Sequence, residues 1–315
     1  MMMDVKDSKE AEIWAVGGGK GGTGKTFVAT QLAHYLATTG KRVILVDTDF
    51  GGANVHSFFG IKKAPKTISS FFEEKEPLEN LILESGIENL GIIPGDYHAV
   101  SAGNMNYSQK TKLLRHIKNL SADYIILDLG GGTSYDTIDS FLLADRMILV
   151  AIPEITSIEN LFQFVKNTFF RKLKFLLGLY GLKSSVRDVW INRKDYGIKN
   201  IVELLQYIKG SSEEVNTILS RELENFALYV ILNQVRNAME IREGFSIRSI
   251  CIKYIGVDTR YVGYIEYDFQ FWKNLSLIQH APSLNVSYSV QKDIMRIAEN
   301  ILSGNQMKIS SIKNA

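Results

Sequence analysis

The sequence predicts an α/β fold: a mostly parallel, twisted sheet with helices on both faces, plus a helical insertion. Three observations carry this. Apolar runs recur through the first half, too continuous for strands with one wet face. Segments of helical period separate them. The first run opens into a glycine-rich turn and then a helix, as a βαβ unit begins.

The elements follow in order. "IWAV", from Ile13 to Val16, reads as a buried strand ahead of the glycine turn. Val28, Leu32 and Leu36 then recur at helical spacing, and Gly40 suits the end of that helix. "RVILVD" is the second buried strand, "LGIIPG" the third and "YIILDLGGG" the next, with "RMILV" following a short helix. Beyond Pro153, "TSIENLFQFVKNTFFRKLKFLLG" has the pattern of a long helix, with Thr156 or Ser157 as cap and Glu159 in its first turn. Phe162, Val165 and Phe169 share one face of it, for core packing. A helical, charged insertion is expected at about 171–226, before the late strands "LYVILNQ" and "YVGYIEY". An amphipathic helix from about Ser289 to Leu302 closes the fold, and the tail from about 304 is expected to be flexible. The whole of 1–315 reads as a single domain without internal repeats.

Composition sets outer limits. With 45% hydrophobic and 22% charged residues, the chain has the balance of a soluble globular protein. A net charge of +2 argues against general polyanion binding. Cys251 is the one cysteine, so no intramolecular disulfide and no CxxC metal site can form, which fits a reducing cytoplasm. No apolar run approaches the ~18 residues that span a bilayer, and "MMMDVKDSKEAE" is unlike a signal peptide.

The chemistry concentrates in three places. Gly19 to Thr26 fits G-x-x-x-x-G-K-[ST] between a strand and a helix, the context of a P-loop. Glycines let backbone N–H groups turn toward phosphate oxygens, and the helix N-terminus adds a favourable dipole. Gly19, Lys20, Gly21, Gly22, Thr23, Gly24, Lys25, Thr26 and Phe27 are therefore candidate ATP/ADP-binding residues. Lys25 would reach the β- and γ-phosphates, and Thr26 would ligate Mg²⁺. Second, Asp47 and Asp49 flank Thr48 at the end of a parallel strand, where such sheets place their ligand crevice. Third, Asp128 ends a buried strand, a Walker B signal for a magnesium-holding carboxylate. Gly130, Gly131 and Gly132 suit a loop that moves when a γ-phosphate leaves, with Gly130 the candidate for an amide contact.

The extra lysine in "KGGTGKT" resembles the deviant Walker A motif of the MinD/ParA family of ATPases. The resemblance implies that Lys20 reaches across a homodimer to the partner's nucleotide, so that dimerisation depends on ATP. It further implies that Asp49 positions the attacking water, that Asp47 supports the magnesium shell, and that Asn54 lies in a loop sensing the γ-phosphate. Asn233, in "VILNQVR", matches an adenine-contacting asparagine, and "GYIEYD" resembles a base-packing loop with Glu266 in the place of the usual proline. Within the family, "VDTDFGGANVHSFFGI" is most similar to the flagellar-number ATPases called FlhG or FleN, and the DxDPQ run typical of ParA is missing.

The reading implied is a cytoplasmic Mg-ATP-dependent dimerisation switch with slow hydrolysis. It would regulate flagellar number or position, or a related polarity or partition process, with a flagellar GTPase or an activator as protein partner. One alternative is an ATP-dependent small-molecule ligase or kinase whose substrate pocket is built by the insertion. Others are a ParA-like DNA-binding partition ATPase, and a nucleotide-loaded scaffold. The FlhG segment DQAxxLR has no counterpart at the N-terminus. Met307, Ile309 and Ile312, with Lys308 and Lys313, make a marginal apolar face, insufficient alone to hold a protein at the inner membrane surface. "KLLRHIKNL", from Lys112 to Leu120, reads as a solvated basic helix over the sheet, with nucleic acid or membrane contact the lesser reading. Arg236, Arg242 and Arg248 would form a second basic surface if the fold brings them together. His34 and His116 read as structural, and Cys251 as a small buried apolar residue.

Overall fold

The computed structural model describes residues 10–49, 52–95, 107–179, 183–269 and 286–309. Eight strands form one sheet: β1 (Glu12–Gly17), β2 (Val43–Asp47), β3 (Leu83–Glu84), β4 (Leu90–Ile93), β5 (Tyr124–Asp128), β6 (Arg146–Ala151), β7 (Ala227–Val235) and β8 (Asp258–Glu266). Their order is β3-β4-β2-β5-β1-β6-β7-β8. Every pairing is parallel except β3 with β4.

Because strand side chains alternate faces, β1 divides itself between two cores. Ile13 and Ala15 enter one, and Trp14 and Val16 the other, all buried. Two helices cover the Trp14 face: α1 (Lys25–Thr38), through Val28, Leu32 and Leu36, and the last helix of the chain, through Ile294, Ile297 and Ile301. The opposite face packs α4 (Tyr107–Lys118), α5 (Tyr135–Leu142) and α6 (Ile155–Leu179), with the short α3 (Ile68–Glu73) ahead of them, while the short α2 (Val55–Phe58) joins the Trp14 face through Val55. The predicted strands thus all form, and burial on both faces explains their continuous apolar runs. Gly40, at φ 80°, follows α1 as expected.

Helices α7 (Lys183–Ile191), α8 (Ile201–Lys209) and α9 (Glu213–Glu224) precede β7. Helix α10 (Ala238–Ile250) runs on into a wide turn at Cys251–Ile255, and α11 (Tyr288–Ser303) is the last. Two helix starts use one device. Asn200 accepts from Glu203 N–H while Glu203 accepts from Lys199 N–H; Asn237 and Glu240 repeat the exchange with Arg236 N–H.

Some details match expectation and others depart from it. Helix α6 runs through Arg171 unbroken, and the helices that follow it pack on α6 and on the Cys251–Ile255 turn. Neither Thr156 nor Ser157 caps α6. The Glu154 carbonyl accepts from Ser157 and Ile158 N–H, so the helix begins earlier, and the Ser157 hydroxyl instead accepts from Ile152 N–H at 3.1 Å. The tail is held at its start: Met307 is buried and its N–H donates to the Tyr261 carbonyl at 2.7 Å. This removes Met307 from the apolar face considered for a membrane, while Ile309 is exposed and Ile312 and Lys313 lie outside the described residues. Arg236, Arg242 and Arg248 do not converge. They are spread along α10, with Arg236 stacked 4.9 Å from the Tyr267 ring at its start and Arg248 near its end. Leu113 and Ile117 bury α4 against the sheet with Lys112 and Arg115 outward, and Phe162, Val165 and Phe169 pack inward. Cys251 is buried, and desolvation pushes its thiol up to about 12.

Candidate active site

Register assembles the site. Val16, Asp47 and Asp128 are paired neighbours at the same level of β1, β2 and β5, so three loops leave the sheet side by side. The first loop, 18–24, enters α1 at Gly24, which is left-handed at φ 87° and offers no side-chain cap. A Cβ there would run into the Asn233 amide. The α10 start is capped by a side chain, and the α1 start is not. Lys25 is largely buried and donates to the Lys20 carbonyl at 3.1 Å. Burial lowers its pKa, and the nearby Asp128 and Asp49 carboxylates oppose that shift.

Asp128 is fully enclosed, and neither carboxylate oxygen has a well-formed hydrogen bond. Burial, then Asp47, push its pKa well above the usual range; the Thr26 hydroxyl and Lys25 pull it partly back. Asp47 is differently placed. It accepts from Asp49 N–H at 3.1 Å, Asn54 N–H at 2.9 Å and Val55 N–H at 3.1 Å. Burial nevertheless pushes it up to about 7. A carboxylate with three amides has little lone-pair capacity left. Asp47 therefore ties Asp49 to Asn54 and Val55, a structural duty that the magnesium-shell expectation did not include. Asn54 contributes its backbone to that tie, and its side chain is exposed without capping α2.

The third loop touches both others. A Cβ on Gly130 would lie 2.8 Å from Asp49 Oδ1, and one on Gly131 would lie 2.9 Å from Gly21 N. Only glycine permits this approach, of 130 to the second loop and of 131 to the first. Thr48 ties the second loop to the same place, its N–H and hydroxyl both donating to the Asp128 carbonyl. Lys20 lies on the rim. Its ammonium is 3.4 Å from Glu154 Oε2 and 3.0 Å from Thr156 Oγ1, at the start of α6.

Asn233, expected at the base, sits behind the first loop. A bulge in β7, with Gln234 left-handed at φ 60°, directs the Asn233 amide to the Thr23 carbonyl at 2.9 Å. Its own oxygen accepts from Gln234 N–H. Glu266 N–H donates to Asp293, whose carboxyl burial pushes up to about 6, and the Glu266 side chain accepts from Ser289. Sequence reasoning missed Glu154 and the clamping roles of Thr48 and Asn233. A carboxylate and a hydroxyl at a helix start after a parallel strand were the available signal for Glu154 and Thr156.

A divalent cation fits here. The enclosed Asp128 carboxylate is only partly compensated by Thr26 and Lys25, and a cation beside it and Thr26 would supply the rest. Among the described residues no cluster of three or more His, Cys, Asp or Glu could hold a metal alone. That matches Mg²⁺, which takes one or two carboxylates plus water and phosphate oxygens.

The ParA family model, described as NUBPL iron-transfer P-loop NTPase, matches residues 9–178. The single, buried Cys251 offers no cluster ligand set for iron. An uncharacterized ATP-binding protein of Methanocaldococcus jannaschii is 30% identical over 49% of the chain and 58% of its own length. The antiactivator FleN of Pseudomonas aeruginosa is 32% identical over 52% of the chain and 59% of its own length. The chain thus spans less than two thirds of these curated relatives. The sporulation initiation inhibitor protein Soj of Bacillus subtilis is 29% identical over 63% of the chain and 80% of its length. Among solved structures, the cell division ATPase MinD of Pyrococcus furiosus superposes with a TM-score of 0.60 at 20% identity, covering 93% of the chain and 99% of MinD. MinD of Pyrococcus horikoshii, complexed with Mg-ADP, gives 0.61 at 19% identity, over 95% and 100%. The likeness confirms the α/β P-loop fold read from the sequence.

Proposed function

The chain belongs to the ParA family of P-loop NTPases, and from that premise we propose that it is a Mg-ATP-dependent dimerisation switch with slow ATP hydrolysis. The observation that carries this is the division of labour between its two lysines. Lys25 sits inside the first loop beside Asp128 and Asp49. Lys20 points away from it, to Glu154 and Thr156 on the rim. An ammonium on the rim is available to a second subunit.

In this reading the 19–27 amides and Lys25 hold the phosphates, and Asp128 and Thr26 hold Mg²⁺. The ion, when bound, would neutralise charge spread over the transferring phosphoryl group. Asp49, held against Gly130, orients water for in-line attack. Lys20 of each subunit adds a cation to the other's γ-phosphate, as an arginine finger does. Because loop 130–131 touches both Gly21 and Asp49, loss of the γ-phosphate releases all three together. Asn54 joins this response through its tie to Asp47.

The cellular output proposed is spatial regulation, with flagellar number or position favoured. What supports it is the "TDFGGANVH" run together with the FleN relative. A protein partner, a flagellar GTPase or an activator, would stimulate hydrolysis; MinD of Aquifex aeolicus is solved in complex with MinC. The setting proposed is cytoplasmic, with the inner membrane surface secondary. A DNA-partition role, after Soj, is the reserve reading. The ligase reading is disfavoured because α7–α9 pack on α6 and on the Cys251–Ile255 turn, at the end of α10 remote from Asn233.

Size-exclusion with light scattering tests the switch, using ADP and a non-hydrolysable ATP analogue on wild type and Lys20→Ala. Wild type should dimerise only with the analogue, and Lys20→Ala should stay monomeric. A wild type that remains monomeric with the analogue removes the proposal.

A further inference from the structure

A groove remains on the face opposite α1 and α11, outside the nucleotide loops. It lies between α4, α5 and α6 and encloses about 430 Å³. Its floor is apolar: Leu114, Leu142 and Leu143 are partly buried against the core. Phe175, 58% exposed, stands at its wall. An exposed phenylalanine continuous with three half-buried leucines is a patch rather than a scattered surface residue. The rim is basic. Arg115, Lys118 and Lys172 line it, and Lys118 and Lys172 make only loose pairs, 3.6 Å to Glu10 and 3.7 Å to Glu222. Of its two acids, Asp139 is committed to Arg171 through two bonds of 2.7 and 2.6 Å. Asp136 is the other.

We propose that this groove docks an amphipathic helix of a partner protein, apolar on one face and acidic at its flanks. The occupant follows from charge and shape. An apolar floor between helices accepts side chains at i, i+3, i+4 and i+7 of a docked helix. A rim of three cations selects carboxylates beside that stripe and repels a basic segment. The two parts divide the energetics, the floor giving affinity and the rim partner choice.

The groove is wired to the nucleotide loops. Helix α5 begins at Tyr135, directly after loop 130–132. Arg171 of α6 grips Asp139 and stacks 4.8 Å from the Tyr135 ring, so α5 and α6 are joined where the loop ends. Any effect of the docked helix on hydrolysis rests on the ATPase reading above; docking itself does not, and is measured without nucleotide.

The probe is a fluorescent synthetic helix of about 18 residues, with leucine at i, i+3, i+4 and i+7 and glutamate elsewhere. Two control peptides carry lysine for glutamate, or serine for leucine. Anisotropy should show saturable binding of the acidic amphipath to the full chain and roughly tenfold weaker binding of both controls. Phe175→Ser, an exposed site that leaves the core intact, should weaken binding about tenfold, and Arg115→Glu with Lys118→Glu at least as much. Hydrogen exchange should slow across 107–118 and 135–142. Equal binding of the lysine or serine peptide overturns the proposal, as does binding indifferent to Phe175→Ser. Capture of phosphatidylglycerol vesicles through Phe175 and Arg115, with no binding of the peptide, also overturns it and assigns the groove to a membrane.

Discussion

Asn233→Ala separates two roles for one residue. In the structure its buried amide donates to the Thr23 carbonyl at 2.9 Å, and its oxygen takes Gln234 N–H at 3.0 Å. Truncation removes both bonds, and losing the buried one while stranding the Thr23 carbonyl costs about 2 kcal/mol. The expected loss is about 2 kcal/mol of folding stability without nucleotide, read by urea denaturation. Because the clamp supports the whole first loop, ATP, GTP and inorganic triphosphate should all bind more weakly by a similar factor, on the order of ten to thirty. Fluorescence titration of the three ligands measures this. A residue that recognised adenine instead would leave unliganded stability and triphosphate binding intact and abolish only the preference for ATP over GTP. That outcome would refute the clamp.

Other consequences are as direct. The Lys20–Glu154 pair is 37% and 52% exposed at its two ends, so solvent screening limits it to about 0.2–1 kcal/mol. Glu154→Gln should therefore lower the protein concentration needed for dimerisation with an ATP analogue by up to about fivefold, seen by analytical ultracentrifugation; an unchanged or weaker dimer would mean that Glu154 does not compete for Lys20. Asp293, pushed up to about 6 by burial, binds its proton more tightly folded than unfolded. Its contribution is full below about pH 4 and is lost as pH rises through about 6, so Asp293→Asn should flatten that decline and gain at most about 3 kcal/mol at pH 7. Denaturation midpoints at a series of pH values check this. Met307→Ala should cost about 2–3 kcal/mol, since the side chain is buried, whereas Ile309→Ser, at a site 67% exposed, should change stability by less than about 0.5 kcal/mol.

Much of this was legible because the physics was local. Strands covered on both faces must be apolar at every position, and β1, β2, β5 and β6 announced themselves. The phosphate loop is a short motif whose context, strand before and helix after, is itself in the chain. The missed parts depend on distant partners or on one backbone angle. Lys20 meets Glu154 and Thr156 across 134 and 136 residues. Asn233 turns toward Thr23 through the bulge that Gln234 makes, and a polar residue ending a strand looks the same whether it meets a ligand or a loop. The pair Leu83–Glu84 is too short to have a period, yet it forms the antiparallel margin beside β4. Met307 lies in a polar stretch with no pattern to mark it as core.

The Met307 amide on Tyr261 has a consequence for assembly. At one margin of the sheet the returning tail occupies a carbonyl of β8; at the other, β3 spans two residues and runs against its neighbour. Among the described residues one border is therefore short and the other is partly taken, which makes each a poorer template for a strand of another molecule. Ribbon-like accretion is thereby discouraged at both flanks, which favours contact between copies through loops and helices.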